Sequence, residues 1–388
     1  MRRSVTRRAE SSWPCSDARS QSCSPDPEDI PVSGSRSSQS SPSLTYSPLP
    51  TRFTDRFGLT TPIALAPMAM ASGGALAAAC AQAGALGLLG GGYGDPDWIE
   101  EEHRRASRLL EADPGARSRL GCGFITWKLD QDRRALDRLL ASDAPPQAIM
   151  LSFGDPRPYS PDIRSIGARL ICQVHTLAQV PIALEAGADV ICAQGGEAGG
   201  HGMNGSESRG TFTLVPEIAD CLASHSPDTL LLAAGGVADG RGLAAALMLG
   251  ADGALVGSRL WTSAESLAAD GAKLQAVGAT GDMTVRSSVF DIIRDIPWPA
   301  PFDFRALRNA LHLKWEERIE ALKGDPSTAR ADYQAGLKAG DYSRIHTPVG
   351  EGAGLIRAID PAADIIRAMT REALERLRLS GRPDPHRD

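Results

Sequence analysis

From residue 51 onwards, short apolar runs alternate with longer segments in which apolar residues recur at the spacing of an amphipathic helix. Such alternation predicts repeated βαβ units with a parallel sheet. The eight predicted strands span residues 62–66, 86–90, 120–126, 147–153, 170–174, 189–193, 229–234 and 253–256. The helices predicted after them span residues 74–83, 95–111, 130–141, 161–167, 176–186, 214–223, 240–249 and 263–273.

The number and regularity of these units favour a closed (β/α)8 barrel, the TIM-barrel form of the α/β class. Eight units fit within residues 61–275, which is the size of such a barrel. Two of the helices stop at a Gly and turn into the next strand within two residues, at 186–189 and 249–252. A doubly wound open sheet is the alternative, but the regular units and the positions of the Gly-rich turns favour closure.

Both ends of the chain lie outside this barrel pattern. Residues 1–50 are rich in Ser and Pro and poor in large aliphatic residues, so we expect a disordered N-terminal extension. Its Arg- and Ser-rich start raises the alternative of an organelle transit peptide, but early acidic residues favour a plain extension and a cytoplasmic protein. Residues 51–275 form the predicted barrel domain. Residues 276–388 predict a helical appendage, with amphipathic helices at 306–323 and 360–379 that would cover the barrel mouth.

The composition excludes several classes of partner. The net charge of −6 gives no electrostatic footprint for nucleic acid or for an anionic membrane. No apolar run approaches the roughly 18 residues that a membrane-spanning helix needs. The seven cysteines include no C-x-x-C pair, which favours buried, reduced thiols in a reducing compartment.

Glycine-rich turns follow the seventh and eighth predicted strands. Residues 233–237 read Ala-Ala-Gly-Gly-Val and lead into a helix at 239–242, and residues 256–259 read Val-Gly-Ser-Arg. Paired glycines let backbone N–H groups approach an anion, and a helix N-terminus adds a positive dipole end. A single such turn is explained as well by a tight bend. Two of them, after these two strands, predict the phosphate site that many barrel enzymes carry.

A long Gly-rich loop follows the sixth predicted strand. Residues 194–202 read Gln-Gly-Gly-Glu-Ala-Gly-Gly-His-Gly, and the loop continues to residue 210. A loop of this length is costly to order and uncommon unless it is functional. A lone His is more often a structural hydrogen-bonding residue, but His201 lies over the barrel mouth, where an imidazole can exchange a proton. His201 is therefore the candidate acid or base, His175 is a second candidate, and Glu197 is expected to organise the loop.

The turn after the first strand offers a surface for a flat ring. Pro67 fixes the backbone there, and Met68 provides a soft, polarizable side chain. The first βα turn carries no G-x-G-x-x-G motif, so a Rossmann nicotinamide site is not supported. The residues His175, Glu197 and His201 match no metal motif such as H-E-x-x-H, so no metal site is predicted.

Four of these motifs together give the sequence a family resemblance. They are the Pro-Ile-x-x-Ala-Pro-Met run at 62–68, the Gly-rich loop at 194–201, the Ala-Gly-Gly-Val turn at 234–237 and the Leu-Gly-Ala-Asp-Gly-Ala-Leu-Val-Gly-Ser-Arg run at 249–259. With these motifs the chain resembles the nitronate monooxygenases, formerly called 2-nitropropane dioxygenases. The resemblance runs from about residue 51 to residue 369 and includes a late Gly-rich stretch at 350–354.

The resemblance implies an FMN cofactor, no metal, a small-molecule substrate and molecular oxygen, with a homodimer as a candidate assembly. His201 would remove the carbon-bound proton of a nitroalkane or steady the nitronate anion. FMN would take an electron, and oxygen would complete the conversion to a carbonyl compound. The residues that would contact FMN are Gly235, Gly236, Gly257 and Ser258 at its phosphate, with Pro67, Met68, Gln173 and Gly200 along the rest of the cofactor.

The sequence also departs from the family pattern. The third strand ends in Phe-Ile-Thr-Trp at 124–127, where many relatives carry Asn near the flavin, and Ser258 stands where Thr is common. Two other functions stay open on the same scaffold. One is an NAD(P)H-dependent flavin reductase acting on an enoyl thioester or a quinone. The other is a protein that binds flavin without turnover.

Overall fold

The computed structural model describes residues 48–380. The expectations of a disordered N-terminal extension and of a transit peptide fall on residues 1–47 and so lie outside the described residues. In the described part, no helix is long and apolar enough to cross a membrane.

Eight parallel strands form a closed barrel, as the sequence predicts. Neighbours around the barrel follow the order of the chain, and the last strand pairs with the first. The first and second strands close the ring, since Leu65 N–H donates to the Leu86 carbonyl at 2.9 Å and Leu86 N–H donates to the Ile63 carbonyl at 3.0 Å. The barrel strands are β1 Ile63–Leu65, β2 Gly87–Gly92, β3 Leu120–Ile125, β4 Ala148–Ser152, β5 Arg169–Val174, β6 Val190–Gln194, β8 Leu230–Ala234 and β9 Gly253–Val256.

The helices between the strands pack their apolar faces against the outside of the barrel. Helix α3 illustrates the local cause, because Asp95 accepts hydrogen bonds from the N–H groups of Asp97 and Trp98, and Pro96 occupies the first turn. The helices up to residue 261 are α1 Arg52–Phe57, α2 Gly74–Gln82, α3 Pro96–Leu109, α4 Pro114–Arg117, α5 Thr126–Leu129, α6 Arg134–Leu140, α7 Ser160–Ser165, α8 Val180–Glu185, α9 Thr211–His225, α10 Gly240–Met248 and α11 Ser258–Trp261.

The eighth predicted helix, at 263–273, begins too early and overlaps the observed helix only at residues 270–273. The Thr262 and Ser263 hydroxyls donate to backbone carbonyls of the preceding turn, which favours the end of α11 there. The chain re-enters a helix only at α12, Asp270–Val277. The last helix, α17 (Ala362–Ser380), packs against α10 and α2 instead, and its apolar face joins the barrel core. The expectation that this C-terminal helix covers the barrel mouth is therefore wrong.

A second, three-stranded antiparallel sheet was not predicted. It has the order β10 (Thr284–Ser287), β11 (Phe302–Leu307) and β7 (Gly200–Met203), and β7 comes from the Gly-rich loop after β6. The register pairs Phe304 of β11 with His201 of β7.

The helix predicted at 306–323 is confirmed only in part, because its first residues complete β11 and the rest forms two short helices. Asn309 then accepts hydrogen bonds from the N–H groups of Leu311 and His312, and so begins a separate short helix. The helices of this region are α13 Val289–Arg294, α14 Ala310–Trp315, α15 Ile319–Gly324 and α16 Ser327–Ala339.

The cysteines of the described part are free, and four of them are buried: Cys80, Cys122, Cys172 and Cys192. Burial raises the pKa of the Cys122 and Cys172 thiols to about 12. These side chains are therefore neutral core residues rather than nucleophiles.

Candidate active site

A cavity of about 240 Å³ opens where the barrel strands end and run into their helices. All nine residues predicted for the site line this cavity, which brings together the turns after β1, β5, β6, β8 and β9. These residues are Pro67, Met68, Gln173, Gly200, His201, Gly235, Gly236, Gly257 and Ser258. The structure thus collects the predicted residues in one place, and their individual roles remain proposals.

The Gly-Gly turn after β8 has a backbone that requires glycine. Gly235 and Gly236 have φ angles of +103° and +76°. A Cβ on Gly235 would lie 2.9 Å from Thr211 Oγ1, which is too close for any side chain. A Cβ on Gly236 or Gly257, in contrast, would meet no protein atom closer than 3.7 Å, so both glycines border the open cavity. The two turns therefore leave bare backbone facing a space that a phosphate could occupy.

The N-terminus of helix α10 does not contribute to this space as expected. Asp239 accepts hydrogen bonds from the N–H groups of Arg241 and Gly242, and Glu372 of α17 accepts one from Gly240 N–H at 2.9 Å. The first N–H groups of α10 are thus already bound to carboxylates. An anion at the cavity would depend on the turns themselves.

The late Gly-rich stretch supplies the opposite wall. Gly350 N–H donates to Ser258 Oγ at 2.9 Å, which fixes the position of the Ser258 hydroxyl. A Cβ on Gly352 would lie 3.4 Å from the Gly236 carbonyl oxygen. Residues 350–354 were noted in the sequence only as a motif, and the structure places them against the predicted phosphate turns.

The barrel floor beside these turns is apolar and closely packed. Pro67 and Met68 line the cavity, and any Cβ on Gly123 of β3 would overlap the Pro67 ring. Phe124 and Ile125 also line this wall, at the place where relatives were expected to carry Asn. A flat ring system such as a flavin fits this floor, with the two Gly-rich turns after β8 and β9 at one end.

Gln173 is held at the cavity by two neighbours. Ser152 Oγ donates to its carbonyl oxygen at 3.4 Å, and its amide nitrogen lies 3.2 Å from His175 Nε2. His175 itself is buried and does not line the cavity, and burial lowers its pKa to about 3. The second catalytic candidate is therefore placed as a neutral support of Gln173 rather than as a group facing a substrate.

His201 faces the cavity from β7 and is paired with a carboxylate. Its Nε2 lies 3.0 and 3.1 Å from the two carboxylate oxygens of Asp291 in α13. Both side chains are nearly enclosed, with 8% and 5% of their surfaces exposed. A carboxylate can only accept here, so Nε2 carries the proton and Nδ1 keeps its lone pair. Burial lowers the pKa of His201, although Asp291 opposes the shift, and the ring is a neutral base near pH 7.

An aromatic wall surrounds this His–Asp pair. The Trp298 ring stacks on His201 with 3.4 Å between ring centroids, and the tilted Phe304 ring lies 4.8 Å from the imidazole. Trp298 Nε1 donates to the Tyr93 hydroxyl at 3.1 Å. Trp298 thus covers one face of the imidazole, and His201 still lines the cavity.

The Gly-rich loop owes its shape to buried charges. The Glu197 carboxylate accepts hydrogen bonds from the Thr211 N–H and hydroxyl, each at 2.9 Å, and so caps helix α9. Arg286 of β10 donates to four backbone carbonyls, those of Gly196, Ala198, Gly200 and Asp303. Burial lowers the pKa of Arg286 to about 10, so it remains a cation. The interpretation of Glu197 as an organiser of the loop agrees with these contacts.

The sequence did not predict several residues that the structure places at the site. They are Tyr93, Arg286, Asp291, Arg294, Trp298 and Phe304. Asp291 lies 90 residues from His201 along the chain and belongs to no motif. The one available signal was the alternation of apolar residues at 302–306, which is the pattern of a strand and not of a helix. Among the described residues, no group of three or more His, Cys, Asp or Glu could hold a metal ion.

Comparisons with known proteins find similar sequences over most of the chain. The family model described as nitronate monooxygenase matches residues 51–118 and 126–372. The nitronate monooxygenase npaC of Metarhizium robertsii is 34% identical over 328 residues, which cover 78% of this chain and 88% of that protein.

Two solved structures share the fold over nearly their whole length. The structure of FabK from Thermotoga maritima has a TM-score of 0.71 and 28% sequence identity, covering 86% of this chain and 99% of the other. The nitroalkane oxidase from Streptomyces ansochromogenes has a TM-score of 0.69 and 27% identity, covering 84% of this chain and 99% of the other.

Proposed function

This chain belongs to the nitronate monooxygenase family, and on that premise we propose that it oxidises nitronates and nitroalkanes to carbonyl compounds and nitrite. The family is one of flavin-dependent oxidoreductases. We propose FMN as the flavin and molecular oxygen as the final electron acceptor. The predictions of a cytoplasmic location and of a homodimer stay predictions.

The observation that carries the proposal is the His201–Asp291 pair in the cavity that also holds the bare phosphate turns. When bound, FMN would supply the electron acceptor for oxidation of the nitronate. Its phosphate would lie on Gly235, Gly236, Gly257 and Ser258. Its other contacts would come from Pro67, Met68, Gln173 and Gly200.

The residues of the chain supply proton transfer and orientation. Asp291 accepts the Nε2 proton of His201 and so fixes the tautomer in which Nδ1 can act as a base. His201 then removes the carbon-bound proton of a neutral nitroalkane, and Asp291 stabilises the imidazolium that forms. A nitronate arrives already deprotonated and needs no such step. The stacked Trp298 keeps water from one face of the imidazole.

The visible spectrum of the purified protein, followed by anaerobic mixing, tests the proposal. We expect a flavin spectrum that an alkyl nitronate bleaches in the absence of NADH or NADPH. Bleaching only by NADH or NADPH would replace the proposal with a reductase of enoyl-thioester or quinone type. The absence of any flavin spectrum would contradict both enzymes.

The variant His201→Asn separates proton transfer from cofactor binding. We expect it to retain flavin, to turn over nitronates and to lose about 100-fold or more of its activity with neutral nitroalkanes. The control is Ser224→Ala, because the Ser224 hydroxyl donates to the Asp220 carbonyl within helix α9. Loss of flavin from His201→Asn would show that His201 holds the cofactor instead.

A further inference from the structure

An arginine without a counter-ion faces the cavity beside the His201–Asp291 pair. Arg294 is the only Lys or Arg among the described residues that line the cavity. Within the described part of the chain, its guanidinium has no carboxylate at ion-pair distance. A cationic side chain that is partly removed from water is normally paired with an anion. An arginine in a cavity without such a partner is therefore a candidate binding site for an anionic ligand.

The carboxylates nearest to Arg294 along the chain are engaged elsewhere. Both oxygens of Asp291, one turn earlier in α13, lie within 3.1 Å of His201 Nε2. Asp295, the next residue, pairs with Arg330 at 3.4 Å. The positive charge of Arg294 is therefore not neutralised by its own helix. Arg286, a second arginine near the site, differs because it donates hydrogen bonds to four backbone carbonyls.

Arg294 lies close to His201, the proposed base. Its guanidinium carbon lies 5.7 Å from the centroid of the Phe304 ring, and the same ring packs against His201 at 4.8 Å. Phe304 thus contacts both the base and the cation. The positive charge is also close enough to His201 to oppose its protonation.

Tyr93 provides a second donor on the same wall. Its hydroxyl oxygen accepts a hydrogen bond from Trp298 Nε1, and the hydroxyl keeps an O–H that can donate to a ligand. Burial raises the pKa of Tyr93, with Arg294 opposing the shift, so the phenol stays protonated and can act as a donor. Tyr93 and Arg294 both line the cavity.

We propose that Arg294 and Tyr93 form an oxyanion-binding subsite for the substrate. A guanidinium presents parallel N–H donors that match a planar group with two oxygens. This inference rests on the proposed function, in which the substrate is a nitronate. The bound group is either the nitronate itself or a second carboxylate on the same molecule. In both cases the subsite selects for negative charge.

Nitrate is the probe for binding without turnover, because it is a planar oxyanion. The flavin-loaded protein is titrated with sodium nitrate, and the flavin spectrum and the heat of binding are followed. We expect Arg294→Gln to weaken nitrate binding by about 10- to 100-fold and Tyr93→Phe by less. Arg294→Lys should retain part of the affinity, since it keeps the charge and loses the two-pronged geometry. Replacement of an exposed arginine, Arg138→Gln, is the matched control.

Steady-state kinetics then identify the bound group. Three substrates are compared: an alkyl nitronate, a nitronate of similar length with a terminal carboxylate, and the neutral parent nitroalkane. If Arg294 holds the nitronate, Arg294→Gln raises KM for both nitronates. If it holds the carboxylate, KM rises only for the carboxylated substrate. In either case KM for the neutral compound changes least.

Three results would overturn the subsite. One is that the unaltered protein does not bind nitrate, and another is that Arg294→Gln binds nitrate as well as the unaltered protein. The third is a loss of flavin in parallel with the loss of nitrate binding, which would place Arg294 at the cofactor. Because nitrate binding needs no turnover, a protein that fails to oxidise nitronates but binds nitrate through Arg294 would contradict the proposed function and leave the subsite standing.

Discussion

Replacing Asp291 with Asn removes the charge behind His201 while keeping the size of the side chain. The Asp291–His201 contact is a hydrogen bond to a charged group, nearly enclosed at 3.0 Å. Such bonds contribute about 1.5–3 kcal/mol, and each 1.4 kcal/mol or so corresponds to a tenfold change. We therefore expect Asp291→Asn to lower kcat/KM for neutral nitroalkanes by about 10- to 100-fold.

Asp291→Asn should also change the pH dependence of nitroalkane oxidation, and the direction of the change follows from the pKa of His201. Burial lowers the pKa of His201, and Asp291 is the group that opposes this shift. Without the carboxylate, the pKa of His201 falls further. The rising limb of the pH–rate profile with a nitroalkane therefore moves to lower pH, while the plateau rate drops because the base is weaker. Nitronate oxidation needs no proton removal and should keep its profile.

Nitrite release and oxygen consumption, measured for a nitroalkane and its nitronate between about pH 5 and pH 8, check this reasoning. Asp295→Asn is the matched control, because it makes the same change one residue after α13, where the carboxylate is exposed and pairs with Arg330. Equal losses with both substrates would mean that Asp291 only supports the structure. An unchanged nitroalkane rate would refute the role of the pair altogether.

Two further predictions concern the phosphate turn and the Gly-rich loop. Gly236→Ala should weaken flavin binding by about tenfold, measured by flavin fluorescence, since it adds roughly 1–2 kcal/mol of left-handed backbone strain beside the cavity. Gly340→Ala is the control, because it introduces similar strain where a Cβ would meet no other atom within 4 Å. It should lower stability without affecting flavin binding. Arg286→Gln should lower the free energy of unfolding by about 3 kcal/mol and speed hydrogen exchange in residues 195–200, because several carbonyls lose their donor. Unchanged exchange there would contradict the interpretation.

The barrel could be predicted from sequence because its signals are local. Asp95 and Pro96 mark the start of α3 by chemistry within one turn, and the buried strands are short apolar runs between turn residues. The predicted site residues follow the same logic. Each lies just after a strand, and the geometry of a parallel barrel brings all such positions to one face.

The parts that could not be predicted depend on contacts far apart in sequence. Strand β7, with the sequence Gly-His-Gly-Met, has no apolar alternation and is extended because it pairs with β11 about 100 residues later. The predicted helix at 263–273 was displaced by α17, which no local pattern assigns to that position. The role of Asp291 could not be predicted for the same reason. Its contact with His201 joins residues 90 positions apart, and an acidic residue in a short helix is usually a surface residue.

The His201 side of the cavity is therefore built by the chain that follows the barrel. Within residues 284–307, Arg286 holds the carbonyls of the Gly-rich loop, Asp291 binds the imidazole, and β11 sets the register of His201. The Gly-rich turn after β9 also depends on the chain that follows the barrel, because Gly350 N–H donates to Ser258 Oγ. A predicted boundary at residue 275 separates a regular barrel from its appendage, but the geometry of the site spans both sides of it. The barrel strands supply bare backbone and an apolar floor, whereas the later residues supply the charges that would select and deprotonate a substrate.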